Sequence, residues 1–453
     1  MRQSPSVIGI ENAVTDYIYD EGRADTALRD GFLQFLKPEN PPRKGENILI
    51  STEEFEGKLL AFAARNGLNP IGENDREEAE FVRTRILGAP RTIEAGGALA
   101  NSFYLMANAQ ANGRPIVENG VFLTALGDDE AGRVFSKSME GTIAHPPLAG
   151  RTMTAHIIPI DGDRIIVASP SFVDSCDKAL DKSLELFKAM DLSQTKMVML
   201  GGYTKYTGHY ASFLDVILDK VAAVNQDPNK RPAIVLTAGA QAVAESAELK
   251  SALDRASKVS PVIISANTGE FRRLMGMDTK WREPHQPKWA GLEGHPLEKA
   301  KERDADYVRD KLAANDAAFT HAYETYCKDK LPPVTFVVTN GKHGVRVVSN
   351  QGISQQYVPP RPPHGVVNTV GGGDAFAGGY LLGQAADLPE AQKAQLGFIA
   401  AGEVIGRDEA RLQTIQNENN SGLPAYLNVQ NPAHKALLSN LGKANPVQER
   451  RFA

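Results

Sequence analysis

Cysteine is nearly absent: Cys176 and Cys327 are the only two in 453 residues, so neither a disulfide framework nor a thiolate metal cluster is available. The nine histidines are scattered and form no His-Glu-x-x-His pair, which argues against a structural metal. No stretch reaches the ~20 apolar residues of a membrane span. The opening Met1–Ile10 lacks the long apolar core of a secretory signal. Basic residues gather into no block and the formal net charge is -5, so there is no nucleic-acid footprint. A Gly-x-x-x-x-Gly-Lys-[Ser/Thr] stretch is missing, which disfavours a P-loop nucleotide site. The glycine run at Gly371 does not fit Gly-x-Gly-x-x-Gly, because Phe376 occupies the last position, which makes a Rossmann dinucleotide site a poor reading. The expectation is a reduced, cytoplasmic enzyme without nucleic-acid or membrane partners.

What is present is ordinary globular material. Hydrophobic residues make up 42% and charged residues 23%, and the length is ample for a substantial core. Short β-branched runs alternate with helical-period segments, the pattern of βα units around a largely parallel sheet. Strands are predicted at Val7–Ile10, Gly120–Leu126, Lys196–Leu200, Ala233–Thr237, Val262–Ser265 and Val334–Val338. Helices are predicted at Gly97–Ala111, Glu130–Glu140, His209–Val224, Gln241–Lys258 and Thr268–Met275, with two long ones around Asp374–Ala386 and Glu390–Ile405. Three regions break the rhythm: the Pro-rich Lys37–Glu46, the acidic exposed run Glu73–Glu80, and a polar insertion at 277–332. The insertion is expected to decorate the surface, near the site or at a subunit contact, and 408–453 reads as a polar C-terminal extension.

The most informative segment is Asn368-Thr-Val-Gly-Gly-Gly-Asp-Ala-Phe-Ala-Gly-Gly379, at the start of a predicted helix. Gly371, Gly372 and Gly373 let backbone N–H groups converge on one point, and the helix dipole adds positive potential there. Asp374 follows directly. A carboxylate with a pKa of ~3.9 is ionised near neutrality and accepts a proton from an attacking hydroxyl. Anion cradle plus base reads as phosphoryl transfer to an alcohol. The plainer reading is a tight strand-to-helix turn with Asp374 as a solvated cap.

This segment resembles the C-terminal signature Asp-Thr-x-Gly-Ala-Gly-Asp-x-Phe of the ribokinase-like (PfkB) carbohydrate and nucleoside kinases. Thr369, Gly371, Gly373, Asp374 and Phe376 match; Asn368 stands for the family's Asp and Gly372 for its Ala. Gly96-Gly97-Ala-Leu-Ala-Asn101 is similar to the family's Gly-Gly-x-x-x-Asn substrate motif. Gly9-Ile-Glu-Asn12-Ala-Val-Thr-Asp16 resembles the opening of adenosine kinase-like members, which implies that Asp16 binds sugar hydroxyls with Asn12 in support. Gly127-Asp-Asp-Glu-Ala-Gly132 matches Gly-x-Asp-x-x-Gly, with Asp129 in an architectural role. Asn267-Thr-Gly-Glu270 fits both a capping box and the family's Asn-x-x-Glu magnesium motif. Thr339-Asn-Gly341-Lys-His-Gly344 resembles the Thr-x-Gly-x-x-Gly turn beside the nucleotide, and as an isolated motif is a hairpin turn.

The six motifs follow the family's order from Gly9 to Gly379. The resemblance implies one three-layer α/β/α ribokinase-like kinase domain over 1–453, with a mostly parallel sheet and a small β-sheet lid. Lid strands are expected within about 17–50 and 103–170, including a hairpin of Thr152–Ile158 and Arg164–Ala168 joined at Asp161-Gly162-Asp163. The implied reaction moves the ATP γ-phosphoryl group to a primary hydroxyl. Asp374 is the implied base, Gly371–Gly373 the cradle, Thr339, Gly341, Gly344 and Thr369 the nucleotide contacts, and Asn267 with Glu270 the Mg²⁺ site through water. Adenosine is the first choice of acceptor, with inosine or guanosine beside it. A free sugar such as ribose or fructose is the alternative, and a catalytically silent ligand sensor a third reading. A homodimer is left open.

Overall fold

The computed structural model describes residues 4–20, 22, 25–37, 47–144, 151–160, 163–169, 177–202, 204, 210–239, 241–244, 246–277, 316–360, 362, 365–367, 371–407 and 422–443. In chain order the strands are β1 (Val7–Ile10), β2 (Val14–Ile18), β3 (Asn47–Leu49), β4 (Thr92–Gly96), β5 (Gln110–Ala111), β6 (Arg114–Pro115), β7 (Val121–Leu123), β8 (Met153–Ile160), β9 (Asp163–Ser169), β10 (Met197–Leu200), β11 (Ala233–Thr237), β12 (Val262–Asn267), β13 (Val334–Thr339), β14 (Val345–Ser349) and β15 (Gly352–Ile353). The helices are α1 (Thr26–Leu36), α2 (Thr52–Arg65), α3 (Asp75–Leu87), α4 (Ala98–Ala107), α5 (Glu130–Ser138), α6 (Asp177–Ala189), α7 (Tyr210–Val224), α8 (Gln241–Ala244), α9 (Ala247–Ala256), α10 (Thr268–Leu274), α11 (Gly372–Ala385), α12 (Glu390–Ile405) and α13 (Pro432–Lys443).

The main sheet has the order β15-β14-β13-β12-β11-β10-β1-β7. Neighbours from β7 to β13 pair in parallel, and β14 and β15 add an antiparallel edge. Its central strands are apolar on both faces, as a sheet covered by helices on both sides requires. In β10, Val198 and Leu200 enter one core while Met197 and Met199 enter the other. The first core is closed by α6, α7, α9 and α10 through Phe187, Phe213, Leu253 and Phe271. The second is closed by α4, α5, α11 and α12 through Phe103, Phe135, Tyr380 and Leu396. The result is an α/β/α sandwich. Helices α4 and α11 come into backbone contact because Gly378 has no side chain; a Cβ there would lie 2.9 Å from the Ser102 carbonyl oxygen.

A second sheet, β3-β9-β8-β2-β4, grows directly out of the first. Strand β2 begins four residues after β1, and β4 runs antiparallel to β2 before turning at Gly96–Gly97 into α4. Two of its strands, Val14–Ile18 and Thr92–Gly96, lie largely outside the ranges read from the sequence for the lid. Each has only 5 residues, β2 buried throughout and β4 in part, too short for a clear alternation signal. Strands β8 and β9 form an antiparallel hairpin, while Asp161-Gly162 at its tip lies outside the described residues. Helices α1, α2 and α3 cover one face of this sheet through Phe32, Phe55, Leu59, Phe62 and Val82.

Four local readings differ from the structure. The acidic run Glu73–Glu80 starts a helix: Asn74 caps α3, the first-turn carboxylates suit the helix dipole, and Val82, Ile86 and Leu87 are buried. The single helix expected over Gln241–Lys258 is two, because the Ser246 hydroxyl accepts from Leu249 N–H and starts α9 afresh. The end of the polar insertion is core, not decoration: Phe319, Ala322 and Cys327 are buried and Phe319 stacks on Phe271. In the C-terminal extension, Leu423, Leu437 and Leu441 are buried in the second core. Lys37 ends α1, while 38–46, 278–315, 408–421 and 444–453 lie outside the described residues.

Within the smaller sheet His156 is buried between Tyr17, Tyr19 and Phe55, with the Tyr19 hydroxyl 2.9 Å from Nδ1. Burial, and then the Arg83 charge, hold the imidazole well below its ordinary pKa, so it stays neutral in the fold. Unfolding lets it take up a proton below pH ~6.5. The stability tied to this group is therefore present above that pH and lost as the pH falls. His156→Gln is expected to flatten the decline, which otherwise adds up to ~1.4 kcal/mol per pH unit, in urea titrations between pH 7 and 5.

Candidate active site

In an open parallel sheet, ligands settle outside the carboxyl ends of the strands. Here those ends carry polar side chains one after another. Asn12 follows β1, Thr237 ends β11, Asn267 ends β12 and Thr339 ends β13. The register places Thr237 opposite Ser265 and Asn267 opposite Thr339. The N-termini of α4 and α11 arrive at the same edge. Between them lies a cleft lined by Ala98, Ser102, Thr237, Ser265, Asn267, Glu270, Thr339, Gly373 and Asp374, among others.

At the head of α11, Gly371 adopts φ 74°, a left-handed conformation that glycine accepts at little cost, and no side chain caps the helix. Its first-turn N–H groups thus meet the cleft without a side-chain acceptor of the helix's own. Asp374 stands in that turn, half-buried. Asn101 Nδ2 donates to Asp374 Oδ2 at 3.0 Å, and Ser102 Oγ donates to the Asp374 carbonyl at 2.8 Å. Two residues of α4 therefore hold the first turn of α11 by side chain and by backbone. Glu270 and Asn267 form a complete capping box at α10, with the Asn267 side chain accepting from Glu270 N–H and the Glu270 carboxylate accepting from Asn267 N–H. Burial pushes the Glu270 carboxyl up to about 7, the Asn267 backbone N–H pulls the other way, and the Asp374 carboxylate adds to the rise. The two carboxylates thus feel one another across the cleft.

A second cluster of the residues read from the sequence forms at the Gly96–Gly97 turn. Asp16 on β2 faces Glu94 across the strand pair, one step from Gly96 on the same face. A Cβ on Gly96 would collide with the Asp16 carboxyl group. Glycine is required there for close approach: the buried carboxylate lies flat over the turn that begins α4. Gly97 takes φ 93° and starts the helix without a side-chain cap.

The residues singled out in the sequence divide into groups. Asp374, Gly373, Asn267, Glu270 and Thr339 share the cleft, and Asn101 reaches it through Asp374. Gly371 and Gly372 shape the helix start, Gly372 packing towards Ile405. Asp16, Gly96 and Gly97 cluster at the head of α4, and Asn12 is buried at the end of β1. Gly341 and Gly344 stand apart from the cleft lining; Gly344 lies against the Tyr357 carbonyl, which leaves no room for a side chain. Thr369 lies outside the described residues. Asp129 caps α5 through Gly132 N–H and accepts from Thr152 N–H, binding the helix to the start of β8. Ser102, Thr237, Ser265, Glu11 and Glu94 were not singled out for the site. Small hydroxyl residues at strand ends were the available signal for Thr237 and Ser265; the other three depend on which elements meet.

The pfkB family carbohydrate kinase model matches residues 311–416, the stretch that holds β13, β14, α11 and Asp374. The match, together with the shared fold of the solved structures below, supports a ribokinase-like PfkB kinase fold. Solved structures sharing its fold include an adenosine kinase from Sinorhizobium meliloti, 18% identical at a TM-score of 0.57, covering 90% of this chain and 96% of that one. A probable sugar kinase from Rhizobium etli CFN 42 is also 18% identical, with a TM-score of 0.55 over 90% and 96%. Anopheles gambiae adenosine kinase, in complex with P1,P4-di(adenosine-5) tetraphosphate, is 14% identical at 0.56 over 90% and 97%. Among curated proteins no sequence matches. The family-model match supports a phosphotransferase with an alcohol group as acceptor, and the matched family implies ATP as donor. No helix among the described residues is long and apolar enough to cross a membrane.

Gly96→Ala is expected to displace Asp16 and, where that turn receives an acceptor, to raise the acceptor KM roughly ten- to a hundredfold while the ATP KM stays within about twofold. Steady-state kinetics varying each substrate in turn make the check.

Proposed function

We propose that the protein transfers the ATP γ-phosphoryl group to the primary hydroxyl of a nucleoside, adenosine first among them. The observation that carries the proposal is the Asn101–Asp374 hydrogen bond at the uncapped start of α11. It fixes a carboxylate beside a group of backbone donors, the two components that hydroxyl activation and phosphoryl binding need. In this reading Asp374 accepts the proton of the attacking hydroxyl as the new P–O bond forms. The amides at Gly371–Gly373 face the transferring group and stabilise its charge, an effect strongest where water is excluded. Thr339 and the Gly341–Gly344 turn lie on the nucleotide side, and Asp16 with Gly96–Gly97 receives the acceptor's hydroxyls. Closure of the smaller sheet over the cleft dries the site and limits wasteful hydrolysis.

A magnesium ion fits the same cleft. Glu270 is pushed up to about 7 by burial and by Asp374, a cost that a divalent cation nearby relieves. Among the described residues no cluster of three or more His, Cys, Asp or Glu forms an all-protein cage. Magnesium commonly takes one or two carboxylates and keeps several waters, so Glu270 and Asn267, through water, suffice to hold it. When bound, the ion offsets triphosphate charge.

A free sugar such as ribose or fructose is the second reading, supported by the fold shared with the probable sugar kinase from Rhizobium etli. Both readings take an uncharged acceptor. Asp16 and Glu94 stand side by side at that end of the site, and two carboxylates repel a phosphate already on the substrate.

A panel of nucleosides and sugars with MgATP, followed by ADP release and product identification, tests the proposal. Asp374→Asn is expected to lower kcat by about a hundredfold or more with little change in the ATP KM; turnover within about tenfold of the parent would remove Asp374 from the base role. Glu94→Lys is expected to cut the preference for an uncharged acceptor over its phosphorylated counterpart by roughly tenfold, measured as a ratio of kcat/KM values.

A further inference from the structure

Glu11 is a completely buried carboxylate at the end of β1 that the proposed chemistry does not use. Burying a carboxylate is costly unless hydrogen bonds meet it, so its place calls for a reason. Its Oε2 accepts the backbone N–H of Leu99 at 3.0 Å, in the first turn of α4. That turn lacks an ordinary cap, because Gly97 has no side chain to supply one. The missing acceptor comes from another element, 88 residues away in sequence. Two glycines make room for it: a Cβ on Gly97 would lie 3.3 Å from Oε2, and one on Gly201, just past β10, would collide with Oε1. A negative charge at the head of α4 is also favoured by the helix dipole.

We infer that Glu11 is a positioning residue that caps α4 from β1 and sets where that helix stands against α11. The same helix carries Asn101 onto the Asp374 carboxylate and Ser102 onto the Asp374 carbonyl, and its head is the Gly96–Gly97 acceptor turn. A small slide of α4 therefore moves the base and the acceptor turn together. The nucleotide side, built on β12, β13 and α10, is not attached to α4 by this contact.

The catalytic part of the inference rests on the proposed kinase reaction; the anchoring part does not, and the test separates them. Parent, Glu11→Ala, Glu11→Gln and Gly201→Ala proteins are compared by hydrogen exchange of peptides covering Gly96–Ala107 and by kcat and KM for the best acceptor and for ATP. Gly201→Ala leaves the carboxylate in the chain but drives it off its seat, and serves should Glu11→Ala fail to fold. In Glu11→Ala and Gly201→Ala the head of α4 is expected to exchange about fivefold faster or more. Acceptor kcat/KM should fall about ten- to a hundredfold. The ATP KM should hold within about twofold, and Glu11→Gln, whose amide oxygen also accepts from Leu99, should recover most of both losses. Parent-like exchange at α4 overturns the inference, as does an equal loss toward ATP and acceptor with faster exchange throughout. A Glu11→Gln protein as loose at α4 as Glu11→Ala also overturns it. If the parent phosphorylates nothing in the panel while α4 alone loosens in Glu11→Ala, the kinase reading falls and the anchoring stands.

Discussion

One hydrogen bond, from the amide of Asn101 to the carboxylate of Asp374, joins residues 273 positions apart and brings two helix heads to one point. It exists because α4 and α11 touch backbone to backbone. Gly378 leaves no Cβ between them, so the Ser102 main chain can close against α11. The contact is then doubled by Ser102 Oγ on the Asp374 carbonyl. A side chain bonded at one end and a main chain bonded at the other leave Asp374 little freedom to rotate away. Positioning of this kind is what an in-line transfer demands, since most of the acceleration comes from geometry and electrostatics.

Around that bond the charges are unevenly placed. Asp374 and Glu270 raise the cost of negative charge within the cleft, and Asp16 faces Glu94 across the strand pair beside Gly96. The compensating positive potential comes mainly from main-chain N–H groups at the start of α11, which Gly371 leaves uncapped by a side chain of its own. Backbone donors are fixed by the helices, so they need no reorganisation when charge shifts during reaction.

The smaller sheet is continuous with the site. β2 leaves β1 through Glu11 and Asn12, and β4 returns through Gly96–Gly97 into α4. Thr15 Oγ1 donates to the Ala131 carbonyl, and Asp129 accepts from Thr152 N–H, so this sheet is also pinned to α5. A change in its tilt has to act through the same turns that hold Asp16 and Asn101.

Much of this was legible in the residues themselves. Continuous apolar runs such as Val7–Ile10 and Met197–Leu200 declare strands buried on both faces, because parallel sheets under two helical layers leave no polar side. The Gly371–Asp374 segment declares a helix head with a carboxylate, because glycine and a charge in the first turn have few other uses. Local chemistry of that sort needs no partner. The cap at Asn74 and the break at Ser246 are equally local, each a side chain accepting an N–H three residues on, whereas the burial of Phe319 was decided by packing against Phe271. The same holds for Glu11, Glu94 and Ser102, whose neighbours lie on strands and helices that sequence spacing does not relate. Types and periods fix what each segment is able to bury or donate; only the crossing of β1, β4, α4 and α11 decides which of those groups meet.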